Sequence, residues 1–475
     1  MRAPPSPPGA AYRRQVAAVE SHGEATVSSS SPRSSSTLDP QVRAFLRRVT
    51  LACAWGHGLD GFDLGVLSVT LPLITTGLGM SPVETGLVAA SSLIGIFVGA
   101  PLAGRIADRF GRRIVFLADL VAFVVLGLLQ AVVADGWQLF VVRLLLGIAI
   151  GAEYTVAAAV VAEFTPARGR GRRISGLLVS WFVGYLAAVV VSYAMTDLAG
   201  LSWRWVLATS ALPAVITLLV RLGMPESPRW LLNHGRPDEA RTIVGERLGG
   251  DAYFRDEAYD AEPSRPGGYR VLFAPGNRRR IVFICLFWAA NVTPYFAIFT
   301  FAPTVLKSLD LPNEAAGTIV LNAMAAAGAL VGMLSIERLG RRRQLIPPFW
   351  ITAVVLAIVG LWAGAPAAVV VTCFVVFSFF NALQSNLTAV YPIEILPTEV
   401  RSTGVGFAAA CSRVGAAIGT FLLPIGIDTI GTGACLLIGA AISVGGGVLS
   451  QRMAPETTGR SLVETSSVPL EPVGR

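Results

Sequence analysis

Apolar segments of about twenty residues recur along the chain, and they constrain its fold more than any other feature. A helix of that length rises about 30 Å, which is the thickness of the hydrocarbon core of a membrane. The segments form two sets of six and lie at 49–74, 84–104, 114–134, 138–162, 174–195, 205–223, 281–306, 315–336, 346–363, 367–391, 403–425 and 431–450. The sequence therefore predicts an all-α membrane protein with twelve transmembrane helices.

The charged residues are few and unevenly distributed. Only 14% of the residues are charged, whereas a soluble domain has about 25%. If the N-terminus and every second loop are cytoplasmic, the basic residues lie in or next to cytoplasmic segments except for Arg143, Arg204, Lys307 and Arg413. By the positive-inside rule we expect a multi-pass protein of the plasma membrane (cell inner membrane) with both termini in the cytoplasm. The net charge of +8 then reflects topology and predicts no nucleic-acid partner.

The sequence offers no constellation of residues for catalysis or metal binding. The three histidines form no cluster, and neither a nucleophile elbow nor a phosphate-binding loop is present. No CxxC pair occurs among the five cysteines, which all fall in apolar segments: Cys53, Cys285, Cys373, Cys411 and Cys435. We therefore expect neither an enzyme nor a protein with a metal or another cofactor.

Three charged motifs occur twice at a common spacing. GRIADRFGRR (104–113) has a counterpart in SIERLGRRR (335–343), and EFTPARGRG (163–171) has one in EILPTEVRS (394–402). PESPR after the sixth segment likewise matches PETTGR after the twelfth. The copies are separated by 229 to 231 residues, which indicates two homologous halves with a solute site at the seam between them.

This repeat divides the chain into five parts. Residues 1–44 are rich in Pro, Ser and Arg and lack the apolar core of a signal peptide, so we expect a disordered cytoplasmic tail. The other parts are predicted to be a first six-helix bundle (45–223), a cytoplasmic linker (224–280), a second six-helix bundle (281–450) and a cytoplasmic C-terminal tail (451–475).

The motifs resemble those of the major facilitator superfamily over residues 45–462. GRIADRFGRR is similar to the loop motif between the second and third helices of that superfamily. PESPRWL, PETTGRSL and the two Glu-x-x-Pro-x-x-x-Arg patterns resemble sugar porter signatures. The resemblance implies two pseudo-symmetric bundles that act as a monomer and move a small molecule and a proton through the bilayer by alternating access.

Finer features resemble particular branches of that superfamily. LDGFDLGVLSVTLP resembles the DGxD pattern of aromatic acid/proton symporters, and GIAIGAEYTVAAAVVAEF and STGVGFAAACSRVG resemble niacin-type metabolite transporters. The seventh segment lacks the paired Gln with which sugar porters grip sugar hydroxyls, and the tenth lacks their Pro-x-x-Trp. The fifth lacks the Gly-Pro of drug/proton antiporters. These departures favour an organic acid over a sugar and weaken the case for an exporter.

Charges inside the predicted spans are expensive to bury, so each is a hypothesis about function. Asp60 and Asp63 share one face of the first span, and a carboxylate in a low-dielectric cavity can take up a proton. Arg143 in the fourth span needs a partner, and sugar porters similarly pair an Asp and an Arg on these helices. We predict that the three residues couple transport to protons and that protonated Asp63 frees Arg143 for the substrate. The alternatives are a hydrated Asp60 and a permanent ion pair.

Four further polar residues are predicted to bind the substrate together with Arg143. Arg413 in the eleventh span is suited to bidentate recognition of a carboxylate. Glu153 is either a second cavity carboxylate or a partner for Arg413. Asn291 and Gln384 are predicted to line the cavity, although such residues also hold membrane helices together. The candidates for an aromatic wall are Phe62, Tyr154, Trp181 and Trp288.

Charged residues at the cytoplasmic ends of the helices are predicted to form an ion-pair network between the halves. They are Asp108, Arg109, Arg112, Arg113, Glu163, Glu226, Glu337, Arg341, Glu394 and Arg401. Such a network would stabilise the outward-open state and break when the inner side opens. A charge run in a loop is usually solvated, but its recurrence in both halves favours a gate.

The sequence thus predicts a secondary transporter, and specifically a proton symporter for a small organic acid, aromatic or otherwise. A proton-coupled sugar or polyol transporter is the nearest alternative, because PESPR and PETTGR report that ancestry, and an exporter is the third. A nutrient receptor with a carrier fold would require a large soluble output domain, which neither the linker nor the tails offer.

Overall fold

The computed structural model describes residues 39–164, 170–248, 269–309, 313–362, 364–397 and 400–457. Most of both predicted tails and the middle of the predicted linker lie outside these ranges. Within them, every regular secondary-structure element is a helix or a helical turn.

The first half contains six long helices. α1 continues without a break through Asp60 and Asp63. α6 consists of two helical segments separated by a single turn at 209–210. A short 3-10 turn extends α3 to Val132, and a π-turn extends α5 to Leu198. The helices are α1 (Pro40–Leu78), α2 (Pro82–Phe110), α3 (Arg112–Leu129), α4 (Gly136–Phe164), α5 (Arg170–Tyr193) and α6 (Trp203–Arg221).

The second half repeats this arrangement after three short helices at Pro228–Asn233, Pro237–Arg247 and Tyr269–Leu272. Its first four long helices are α7 (Pro275–Thr300), α8 (Glu314–Leu339), α9 (Arg341–Leu361) and α10 (Ala367–Ile395), and a short helix at Ala302–Ser308 follows α7. The last helical stretch, Arg401–Met453, is broken at Gly431, so we treat it as α11 (401–430) and α12 (432–453).

The number of membrane crossings follows from the length of that last stretch. Eleven helices of the described residues are long and apolar enough to span a membrane. The last of them, Thr403–Met453, has 51 residues, which at 1.5 Å per residue is about 77 Å and more than twice the thickness of the hydrocarbon core. Gly431, with φ 83°, provides the left-handed backbone at which the chain turns. The predicted twelve-helix membrane fold is confirmed.

Close helix packing builds each half and the seam between them. α1 packs on α5, and a Cβ added at Gly184 would lie 1.9 Å from the carbonyl oxygen of Gly58. Such contacts require glycine, because no other residue lets two helix backbones approach so closely. The two halves meet where α2 packs on α11, with Gly86 against Phe421, and where α5 packs on α8.

Hydrogen bonds also join the two halves at the end of the seam that lies opposite the arginine motifs. The Phe299 carbonyl of α7 has no helical donor, because the residue four positions on is Pro303. It accepts hydrogen bonds from Ser68 Oγ of α1 at 2.6 Å and from the Tyr185 hydroxyl of α5 at 3.1 Å. The stacked rings of Tyr295 and Phe299, 4.2 Å apart, lie at the same level. The halves are therefore closed onto each other at this end.

Candidate functional site

The predicted partners Asp63 and Arg143 are in contact inside the first half. Nη2 of Arg143 donates to Oδ2 of Asp63 at 3.0 Å, and its Nη1 donates to Oε1 of Gln130 at 2.8 Å. Both members of the ion pair are buried, with 0% and 1% of the arginine and aspartate side chains exposed. Arg143 is therefore enclosed among α1, α3 and α4, and the prediction that it binds the substrate is not supported in this conformation.

Asp60, one turn before Asp63, has a different environment. It is completely buried, and neither carboxyl oxygen has a hydrogen-bond partner among the described residues. An isolated carboxylate in such a place would cost far more free energy than a neutral acid. The burial of Asp60 and the lack of a hydrogen-bond donor therefore favour the neutral acid over the carboxylate in this conformation.

Glu153 on α4 is paired with Arg221 on α6, and not with Arg413 as one of the predictions had it. Nη1 and Nη2 of Arg221 donate to its two carboxylate oxygens at 2.6 Å each. The guanidinium also lies 3.6 Å from the centre of the Phe116 ring and donates to the Ala52 carbonyl. Because Glu153 is only 1% exposed and both oxygens accept from Arg221, its predicted role in substrate binding is corrected to an internal ion pair.

Arg413 on α11 lies at the seam, with no carboxylate of the described residues at ion-pair distance and with the Asp60 carboxyl near enough to act on it electrostatically. Its guanidinium carbon is 5.3 Å from the ring centres of both Tyr154 on α4 and Phe296 on α7. The structure gives it no hydrogen bond or ion pair with any described residue. Since Tyr154 belongs to the first half and Phe296 to the second, the cation lies between residues that alternating access would separate.

The two predicted amides of the second half behave differently. Asn291 is fully buried, donates to the Asn381 carbonyl at 3.4 Å and accepts from Ser385 Oγ at 3.0 Å. Asn381 donates in turn to the Asn291 carbonyl at 3.1 Å. The prediction that Asn291 lines the cavity is therefore corrected, because its side chain joins α7 to α10. Both polar atoms of Gln384, in contrast, have no partner among the described residues.

Aromatic rings fill the space between Arg413 and the closed end of the seam. The Trp181 ring lies 6.1 Å from the ring of Tyr295 and 6.0 Å from that of Phe296. Of the predicted wall residues, Trp181 and Tyr154 belong to this group, and Phe62 and Trp288 pack against the core as partly buried side chains. The sequence did not single out Phe296, because aromatic residues in a membrane segment usually only pack.

Comparison with known proteins identifies the family. The family model described as "Sugar (and other) transporter" matches residues 36–468. The chain belongs to this transporter family. The transporter is 37% identical over 441 residues to the putative metabolite transport protein YaaU of Escherichia coli (strain K12), a match that covers 91% of this chain and 97% of that protein. It is 34% identical over 430 residues to the inner membrane metabolite transport protein YgcS of the same organism, covering 90% and 96%.

A solved structure supports the fold of the transporter. The major facilitator superfamily proton:xylose symporter XylE, bound to 6-bromo-6-deoxy-D-glucose, superposes with a TM-score of 0.76. The match covers 89% of this chain and 98% of that one at 21% identity. Together with the family match, it shows that the transporter is a sugar-porter-like member of the major facilitator superfamily, and the predicted resemblance is confirmed. Its family and fold are those of transporters and not of enzymes.

The transporter's motif charges in the first half pair within that half. Arg112 at the start of α3 donates to Asp108 at 2.6 Å and to Glu163 at 3.3 Å. The carboxylate of Glu226 accepts the backbone N–H groups of Arg112 and Arg113 at 2.9 and 3.1 Å. An acidic group at this position satisfies free N–H groups of the helix and interacts favourably with its dipole.

The second half of the transporter repeats these contacts almost atom for atom. Arg341 at the start of α9 donates to Glu337 at 3.3 Å and to Glu394 at 2.7 Å. The carboxylate of Glu456 accepts the backbone N–H groups of Arg341 and Arg342 at 3.0 and 3.1 Å. The internal repeat read from the sequence therefore corresponds to two copies of one structural unit.

The ion pairs of Arg112 with Asp108 and Glu163, and those of Arg341 with Glu337 and Glu394, join residues of the same half. In this structure, which is closed at the opposite end of the seam, these pairs do not form the predicted network between the halves, and its formation in the outward-open state stays a prediction. The physical reason is the repeat itself, which places complementary charges around the same turn in each half. Two other predicted members make different contacts: Arg109 lies over the Phe110 ring, and Arg401 donates to the Leu396 carbonyl.

Proposed function

We propose that the transporter carries a small organic acid together with a proton, and that Arg413 binds the carboxylate. The observation that supports this most directly is the guanidinium at the seam with no counter-ion among the described residues. Arginine always keeps its charge, and the guanidinium of Arg413, half-buried between aromatic rings, would be stabilised by an anion. The planar fork of Arg413 suits bidentate binding of a carboxylate.

The surroundings of Arg413 favour an aromatic or otherwise apolar acid. The rings of Tyr154 and Phe296 flank the cation, and Trp181 lies next to Phe296. An aromatic carboxylate bound to the guanidinium would meet ring faces and edges at favourable geometry. Because the rings come from both halves, substrate binding would favour the conformations in which the halves are together around it.

Proton coupling is assigned to Asp60 in this proposal. Arg143 holds Asp63 as an ion pair, whereas Asp60 is buried without any donor. A neutral Asp60 is compatible with the closed seam, and ionisation would require water at that position. We infer that Asp60 exchanges its proton when the halves part at the end that is closed here, while the Asp63–Arg143 pair stays intact.

A proton-coupled sugar or polyol transporter remains the second candidate. The amide of Gln384 has both polar atoms unpartnered, and an amide binds hydroxyl groups well. The similar fold of XylE, a proton:xylose symporter, and membership of the sugar transporter family support the same class of solute. The unpaired Arg413 is what favours an acid, since a neutral sugar would leave that charge uncompensated.

The test is uptake of labelled benzoate, nicotinate, glucose and inositol into proteoliposomes that are neutral inside and acidic outside. The controls are the same vesicles with the pH gradient collapsed, and protein-free vesicles that report passive entry of the acids. Gradient-dependent accumulation of an acid beyond passive entry supports the proposal. Accumulation of glucose or inositol alone would replace it with the sugar candidate.

Variants then separate the roles of the two charged groups. Arg413→Gln is expected to abolish accumulation of the acid, and Arg413→Lys to retain part of it, because lysine keeps the charge but loses the fork. Arg338→Gln, which removes an exposed arginine at the end of α8, is the matched control and should transport normally. Asp60→Asn should leave exchange of substrate intact but abolish accumulation driven by the pH gradient.

A further inference from the structure

A second buried acid lies on α3, outside the groups that the proposed function uses. Asp119 is 5% exposed, and its Oδ1 accepts the N–H of Leu120 at 2.7 Å. Its Oδ2 is buried and has no donor among the described residues. The carboxyl of Asp119 lies beside that of Glu153 on α4, and Phe116, one turn earlier on α3, lies against the Arg221 guanidinium.

The contact between these two acids requires a proton. Both oxygens of Glu153 accept from Arg221 at 2.6 Å, so Glu153 is the ionised member. Two carboxylates have no hydrogen to share, because each is an acceptor only. A proton on Oδ2 of Asp119 supplies the missing donor and satisfies a buried polar atom that otherwise has no partner.

The charges around Asp119 lead to the same conclusion. The titratable and charged groups that face it are Glu153 on α4 and Arg221 on α6, with Asp60 and His57 of α1 next to them. If every acid were ionised, the three negative charges of Asp60, Asp119 and Glu153 would face two guanidinium groups, those of Arg221 and, next to Asp60, Arg413. With Asp119 neutral, the Glu153–Arg221 pair is balanced, and no additional negative charge is buried beside it.

We propose that Asp119 is a second proton-binding group of the transporter, distinct from Asp60 and from the Asp63–Arg143 pair, and that it donates its proton to Glu153 in a hydrogen bond. Its use as a coupling proton rests on the proposed proton-coupled transport. The presence of the proton on Asp119 does not depend on that proposed function, and the presence of the proton is tested without any substrate.

The experiment is infrared spectroscopy of the purified full-length protein near neutral pH, at the carbonyl stretch of protonated carboxylic acids. Asp119→Asn is expected to remove one band, and Asp60→Asn a different one. Asp428→Asn is the matched control and should remove none, because the Asp428 side chain is exposed to solvent. Incorporation of isotopically labelled aspartate should shift both bands and thereby exclude Glu153 as the carrier of the proton.

Asparagine has nearly the shape of a protonated aspartate, so Asp119→Asn should fold and keep the unfolding temperature of the wild type. If that variant fails to fold, Asp119→Glu provides the test, since it should move the band in frequency. A band that is unchanged in either variant, or one that labelled aspartate does not shift, would overturn the proposal. Absence of gradient-driven uptake alongside the expected spectra would instead overturn the proposed function alone.

Discussion

Arg221 on α6 holds Glu153 on α4 through two hydrogen bonds of 2.6 Å, and this pair lies directly against α1 at Gly56. A Cβ built at Gly56 would lie 1.9 Å from Nη2 of Arg221 and 2.1 Å from Oε1 of Glu153. Real atoms do not approach so closely. The absence of a side chain at this one position is therefore what allows three helices to enclose a charged pair.

Gly56→Ala is accordingly expected to displace the ion pair and destabilise the transporter. Overpacking of a close-packed site typically costs about 1–3 kcal/mol, and weakened hydrogen bonds to a buried charge add to that cost. The measurement is the thermal unfolding of the purified protein. Gly445→Ala is the control, because a Cβ at Gly445 meets no atom within 4 Å. Equal unfolding temperatures for the two variants would contradict the packing described for Gly56.

Substitution by Asn is expected to lower stability strongly at Asp63 and only slightly at Asp60, although the two residues lie one turn apart on α1. Asp63→Asn removes the charge that balances Arg143, and breaking one side of a buried ion pair costs about 3–5 kcal/mol. Asp60→Asn replaces a neutral acid with a neutral amide of the same shape, so its cost should be small. Thermal unfolding of both variants, measured in the same detergent, checks this difference.

The double variant Asp63→Asn with Arg143→Gln provides the control for that comparison. It removes both charges of the pair, so it should be more stable than Asp63→Asn alone. A double variant that is the less stable of the two would show that the loss came from packing and not from an unpaired arginine.

The twin arginine units predict additive effects in the two halves. Arg112→Ala and Arg341→Ala each remove the contacts of one unit, since Arg112 pairs with Asp108 and Glu163 and Arg341 pairs with Glu337 and Glu394. Independent sites add within about 0.3–0.5 kcal/mol, so the free energy of unfolding lost in the double variant should equal the two single losses together. A double-mutant cycle in chemical unfolding measures this. A larger coupling energy would indicate that the two units communicate through the seam.

The fold was predictable because membrane insertion leaves a strong record in a sequence. Long apolar segments, the charge distribution and the repeat of GRIADRFGRR in SIERLGRRR define the helices and the two halves without any knowledge of side-chain contacts. The pairing of Asp63 with Arg143 was also predictable, since both charges lie inside predicted spans and each needs a partner. These features depend on residue type and position along the chain alone.

The remainder of the site depends on which helix faces meet, and the sequence does not contain that information locally. Arg221 lies at the end of a predicted span and was counted among the cytoplasmic charges, so Glu153 was left without its true partner. Asp119 lies within the third predicted span, and the rule that intramembrane charges mark function would have singled it out. The twin motif clusters recur at one spacing, but repetition alone does not say whether partners lie within a half or across the seam.

Asn291 and Gln384 are both buried amides of the second half but differ in their hydrogen bonds, and this difference gives the last prediction. Asn291→Ala removes a side chain that contacts Asn381 and Ser385, and each polar group left unpaired costs about 1–3 kcal/mol. Gln384→Ala removes a buried amide with no hydrogen-bond partner among the described residues, so it should cost less stability than Asn291→Ala, while transport falls. Thermal unfolding and proteoliposome uptake of the two variants show whether each amide contributes to stability or to transport. A destabilised Gln384→Ala with unaltered uptake per folded molecule would remove Gln384 from the binding site.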